Sequence, residues 1–130
     1  MALRLLIVDD SNHFLEAARG LLEREGLEVV ALASTSAEAI RSARELRPDV
    51  TLVDIDLGNE SGFELARDLT EAADPARVVL ISAYPEADLL DLIEASPAVG
   101  FLSKSRLSAR AIHELLDEAG GDQQDGVDRN

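Results

Sequence analysis

The chain has 130 residues, 46% of them hydrophobic, enough for one domain around one core. Its formal net charge of −14 repels phosphate backbones and anionic lipid, so no nucleic acid and no membrane is expected as a partner of this chain alone. The absence of cysteine excludes disulfides, thiolate metal sites and cysteine nucleophiles; with no long apolar run or leader-like start, a cytoplasmic protein is expected.

Short apolar runs recur at a nearly even pitch. Leu3–Val8, Leu27–Leu32, Val50–Val53, Val78–Ile81 and Val99–Leu102 read as strands, and the stretches between them carry helical periodicity. After Ser11-Asn12, a helix start, Phe14, Leu15, Ala18, Leu21 and Leu22 share one face, and Gly26 closes the segment. The second helix, with Ser36 as candidate cap, turns Ala39, Ile40, Ala43 and Leu46 inward and stops before Pro48. The third presents Phe63, Leu65, Ala66 and Leu69 and gives way near Ala73-Asp74-Pro75. A fourth runs from about Pro85, suited to a first helical position, to Ala95 with Leu89, Leu90, Leu92 and Ile93. The fifth, from about Arg106 to Ala119, buries Leu107, Ala111, Ile112, Leu115 and Leu116. Residues 1–119 therefore form the domain, and the polar, glycine-rich 120–130 is expected to be a disordered tail or the start of a linker. Strand and helix alternating in this way imply an α/β fold, a doubly wound parallel sheet of five strands with helices on both faces.

Sites in such folds lie at the carboxyl ends of the strands. Strand one ends in Asp9-Asp10, strand three in Asp54, strand four in Ser82 and strand five in Lys104, the chain's single lysine. An acid closing an apolar strand is costly in a core but not in a crevice open to solvent. If the strands are adjacent, these groups converge, and clustered carboxylates need either a raised pKa or a cation. Mg²⁺, a hard ion taking one or two carboxylates plus a phosphate oxygen, suits such a site, with Lys104 as a charge and Ser82 as a hydroxyl donor for an incoming anion.

Asp9-Asp10, Asp54, Ser82 and Lys104 on successive strand ends resemble the receiver domains of two-component response regulators, over roughly Leu3 to Ala119. The resemblance implies a flavodoxin-like sheet of order 2-1-3-4-5. It implies Asp54 as phosphoacceptor, taking a phosphoryl group from a phosphohistidine on a sensor histidine kinase. Asp10 and Asp54 would hold Mg²⁺ through their side chains, Asp9 through water, and Asp56 through its backbone carbonyl. Ser82 and Lys104 would hold phosphoryl oxygens, and Phe101 matches the aromatic that turns inward as the Ser82 hydroxyl moves. The family's partner or homodimer face runs along the fourth helix, fifth strand and fifth helix. By the same resemblance the domain is a switch rather than an enzyme, and Asp56 and Tyr84 flank the site where members tune phosphate lifetime. Three positions depart from the family pattern: Gly58 and Ser105 stand where proline is usual, and Ser82 replaces the commoner threonine.

Two other readings compete. Asp54-Ile55-Asp56 imitates the Asp-x-Asp of haloacid-dehalogenase phosphatases, which carry it on an early strand, whereas two strands precede it here. A phosphorylation-independent pseudo-receiver is the other, although its acids are typically incomplete. No glycine-rich turn follows strand one, which argues against nucleotide binding. His13 and His113 are expected to be exposed and without a chemical role.

Overall fold

The computed structural model describes residues 2–72 and 77–128, with side chains as far as 119. Five parallel strands make the sheet: β1 (Arg4–Val8), β2 (Glu28–Ala33), β3 (Val50–Asp54), β6 (Val78–Ser82) and β7 (Gly100–Ser103), in the order β2-β1-β3-β6-β7. The remaining two strands, β4 (Asp56–Leu57) and β5 (Glu60–Ser61), form a small antiparallel hairpin just after β3. Counting the main strands alone, the order is the expected 2-1-3-4-5.

Why the central strands are largely apolar follows from the two layers around them. Side chains alternate across a strand, so Leu5 and Ile7 join one cluster with Leu15, Leu22, Ile112 and Leu116, and Leu6 and Val8 join another with Ala39, Leu65, Leu69 and Leu80. Helices α1 (Asn12–Arg24) and α5 (Ala109–Asp128) cover the first face; α2 (Ser36–Leu46), α3 (Gly62–Ala72) and α4 (Leu90–Ala95) lie on the second. Among the described residues no helix is long and apolar enough to cross a membrane.

Helix ends differ from expectation in instructive ways. Thr35, not Ser36, caps α2: its hydroxyl accepts the Glu38 N–H at 3.1 Å, and the Glu38 carboxylate returns to the Ser34 N–H at 2.9 Å, which holds its pKa below the usual range. Pro48 does end α2, with Arg47 in the left-handed region at φ 47°. Leu46, expected to turn inward, is exposed at that end. The end of α3 near Ala73-Asp74-Pro75 lies outside the described residues.

The fourth helix is broken. A 3₁₀ turn, Glu86–Leu89, precedes the short α4, and Pro85 stays extended in front of it with ψ 143° instead of opening the helix. Leu89 and Ile93, four apart, pack on the sheet, while Leu90 and Leu92 fall to the flanks and are exposed. A second 3₁₀ turn, Lys104–Arg106, separates β7 from α5, so α5 starts later than Arg106. Its first turn is tied by the Ser108 hydroxyl, which accepts the Ala111 N–H at 3.0 Å, and by Glu25, whose Oε1 accepts the Ala109 N–H at 2.7 Å. The backbone of α5 continues helical to Asp128, past the Ala119 at which the sequence reading ends it.

Candidate functional site

The register of the sheet aligns the ends of its central strands. Val8 of β1 pairs with Val53 of β3, Asp54 with Ile81 of β6, and Ser82 with Ser103 of β7. Asp54, the last residue of β3, and Asp9, Asp10 and Lys104, which follow β1 and β7, therefore enter one crevice at the carboxyl edge. Asp9, Asp10 and Asp54 each bring a carboxylate oxygen within 4.8 Å of the others, Asp9 and Asp54 buried and Asp10 exposed.

Lys104 reaches across from the end of β7. Its Nζ stands 2.6 Å from Asp9 Oδ2 and 3.0 Å from Asp54 Oδ2, and it also lies over the Phe14 ring, 4.3 Å from the centroid. Asp54 Oδ2 accepts a hydrogen bond from it, and Asp9 Oδ2 meets it as a close ion pair with no other polar partner among the described residues. The other oxygens of these acids are taken by the backbone. Asp9 Oδ1 accepts the Ser11 N–H at 2.8 Å, and Asp54 Oδ1 accepts the Asp56 N–H at 3.1 Å.

Electrostatics follow from that packing. Burial pushes Asp54 up to about 6, against the Asp56 N–H and the Lys104 ammonium, and the neighbouring Asp9 charge adds to the rise. For Lys104, burial opposes the charge, but the carboxylates of Asp9 and Asp54 outweigh it and hold its pKa above the usual lysine value. Two buried acids thus share one ammonium, which leaves the cluster net negative and suited to a further cation.

Two glycines shape the loop beside Asp54. Gly58 turns the β4–β5 hairpin at φ +74°, a left-handed conformation that proline's ring forbids, and a Cβ there would stand 3.2 Å from Asp10 Oδ2. Gly62 opens α3 so close to β3 that a Cβ would overlap the Asp54 carbonyl. Glu60, in the same hairpin, accepts the Ser36 N–H at 2.9 Å and so anchors the loop to the start of α2.

Other expected site residues lie as follows. Ser82 is buried at the end of β6, where its Oγ accepts the Tyr84 N–H at 2.9 Å; Tyr84 itself is exposed. Phe101 is buried among Leu57, Leu80 and Leu89. Asp56 is exposed and its carboxylate accepts the Gly58 N–H at 3.2 Å, outside the group of three acids, which leaves the Asp-x-Asp of the phosphatase reading without its second acid. His13 and His113 are exposed. Sequence periodicity treated Phe14 only as core; its place under Lys104 carries no signal in spacing, because the two are joined only by the fold.

The family model of the response regulator receiver domain matches residues 5–117. The chain belongs to the response regulator receiver domain family. This receiver is 29% identical over 116 residues to the chemotaxis protein CheY of Bacillus subtilis, covering 88% of the chain and 96% of that protein. It is 31% identical over 114 residues to response regulator GacA of Pseudomonas viridiflava, covering 87% of the chain and 53% of GacA. Among solved structures it resembles a LuxR-family two-component response regulator from Aurantimonas sp. SI85-9A1, with 31% identity, a TM-score of 0.78, and coverage of 93% of this chain and 87% of the other. The response regulator domain of Thermotoga maritima CheB follows at a TM-score of 0.70 and 27% identity, over 93% and 96% of the two chains. The receiver spans between 30% and 53% of the length of the first curated relatives it matches.

Proposed function

We propose that this receiver accepts a phosphoryl group on Asp54 from a phosphohistidine of a sensor histidine kinase, and that the modification switches its contacts with partners. The observation that carries the reading is the lysine from the last strand meeting Asp54 at 3.0 Å and Asp9 at 2.6 Å inside an acidic crevice. A structural lysine would sit in solvent; this one is drawn to where phosphoryl charge would arrive.

In the transfer an Asp54 carboxylate oxygen attacks phosphorus, the P–N bond to the histidine breaks, and the imidazole leaves with the bond's electron pair. Such transfers are loose and depend on positioning and charge neutralisation. Lys104 exchanges its contact with Asp54 for one to a phosphoryl oxygen, and the buried Ser82 hydroxyl, one strand away, leaves the Tyr84 N–H to bind another. The three-acid, all-oxygen cluster fits a hard divalent ion. Asp10 and Asp54 would hold Mg²⁺ directly, Asp9 through water and Asp56 through its backbone carbonyl; when bound, the ion neutralises the charge of the transferring group. The protein acts here as a signalling module, not as an enzyme with a turned-over substrate.

Readout is a population shift. Ser82 and Phe101 form the switch pair, joined through β6 and β7, whose residues pair in register. The face along α4, β7 and α5 is the partner or homodimer surface. Exposed Leu90 and Leu92, and a groove of about 400 Å³ lined by residues including Leu102, Arg106 and Leu115, support it. Residues 1–119 constitute the receiver unit, with 120–130 as tail or linker start. Acetyl phosphate or beryllofluoride is expected to load the protein only with Mg²⁺ present, and Asp54→Asn to abolish loading. An unchanged adduct by intact-mass spectrometry in Asp54→Asn would move the acceptor elsewhere.

A further inference from the structure

We infer that Phe14 is a positioning residue for Lys104, holding its ammonium in the crevice while the acceptor carboxylate is exchanged for a phosphoryl group; this rests on the phosphoacceptor reading above. Lysine carries its charge on a flexible four-carbon stem, and nothing in the stem alone selects one direction. Here the ammonium is bounded by Asp9 Oδ2 at 2.6 Å, Asp54 Oδ2 at 3.0 Å and the Phe14 ring face at 4.3 Å. Two of those neighbours are anions whose charge the reaction alters or shares. The ring is the neutral one, and its negative π face attracts the cation at that distance whether or not the acid is phosphorylated.

Phe14 is itself fixed from the crevice. Asp9 Oδ1 accepts the Ser11 N–H at 2.8 Å, and the Ser11 hydroxyl accepts the Phe14 N–H at 3.2 Å, which sets the first turn of α1. The contacts close on themselves: Asp9 to Ser11, Ser11 to Phe14, Phe14 to Lys104, and Lys104 back to Asp9. An aromatic face at this point therefore does what an aliphatic side chain of similar bulk does not. Phe14 also packs, partly buried, against the core under α1, so leucine in its place keeps most of the apolar contact.

The experiment compares full-length protein with Phe14→Leu and Phe14→Tyr. Two readouts are followed: the rate of loading by acetyl phosphate with Mg²⁺, and the NMR position of the Lys104 ε-methylene protons, which the ring current displaces upfield. Phe14→Leu is expected to load about three- to tenfold more slowly, with unchanged Mg²⁺ affinity, and to lose the upfield displacement. Phe14→Tyr is expected to restore both. Loading of Phe14→Leu at the wild-type rate, or a tyrosine variant as slow as leucine, overturns the positioning role. If wild-type protein takes up no phosphoryl group at all, the phosphoacceptor reading fails, and the ring-current displacement alone then decides whether Phe14 holds the lysine.

Discussion

Gly62 and Asp54 touch backbone to backbone: a Cβ on Gly62 would overlap the Asp54 carbonyl and approach Ile55 Cα to 2.6 Å. The Gly62 N–H also donates to the Ile55 carbonyl at 2.9 Å, so α3 is tied to the residue next to Asp54. Neither contact allows a side chain to swing aside. Gly62→Ala is therefore expected to cost about 1–3 kcal/mol or more in a urea titration followed by circular dichroism, and to slow acetyl-phosphate loading. Wild-type stability in that variant would show that α3 can move off β3 at little cost.

The raised pKa of Asp54 has a sign that can be tested. Folded, it titrates at about 6, and unfolded near 3.8, so between those values the folded state binds the extra proton. Stability contributed by this group is present below about pH 4 and is lost as pH rises toward 6. Asp9, Asp10 and Lys104 face it; all three remain in Asp54→Asn. In EDTA, Asp54→Asn is expected to be more stable than wild type at pH 7.5 by on the order of 1–3 kcal/mol, and the difference to shrink at pH 4.5. A difference that does not change with pH would mean that burial is not what raises the acid.

Removing the lysine separates metal binding from transfer. Lys104→Ala leaves all three acids in place but leaves Asp9 buried without its counter-charge. In EDTA a loss of about 1–3 kcal/mol is expected, with Mg²⁺ recovering more stability than it adds to wild type. Calorimetry should still find Mg²⁺ binding, whereas loading should fall about a hundredfold or more, the usual scale for losing one preorganised donor at a transition state. Loading at the normal rate, with normal partner binding afterwards, would refute the role given to Lys104.

A contact far from the crevice ties the first helix to the last. Glu25 Oε1 accepts the Ala109 N–H at 2.7 Å, so a carboxylate at the end of α1 caps the start of α5. Glu25→Ala is expected to cost about 0.5–2 kcal/mol, and Glu25→Gln less, because an acceptor remains while the charge at the helix N-terminus is lost. Equal losses in the two variants would assign the effect to the charge alone. Ser108→Ala provides the local comparison, since its hydroxyl serves the same turn through Ala111.

The five strands of the main sheet, the inner faces of the first, third and fifth helices, and the acids, hydroxyl and lysine at the strand ends were legible in the chain's own pattern. Burial on both sides leaves the central strands β1, β3 and β6 largely apolar, and the break in each run marks where the sheet meets solvent. That is why Asp9, Asp10, Asp54, Ser82 and Lys104 stand out in the sequence. Helix caps were less legible: Thr35 and Ser36 are chemically equivalent candidates, and only the entry angle of the chain selects Thr35. The four branched residues of the fourth helix suggested one buried face, as they would in a continuous α-helix; the change from a 3₁₀ turn to α4 at Leu90 breaks that face, so Leu89 and Ile93 pack on the sheet while Leu90 and Leu92 stay exposed. Tertiary structure alone decided the long-range pairings: Phe14 under Lys104, Glu25 on Ala109, Glu60 on Ser36. Each joins residues whose own neighbourhoods satisfy ordinary helix or loop patterns. Local sequence determines which face a side chain takes, whereas the direction of each crossover and the register of the strands determine what that face meets.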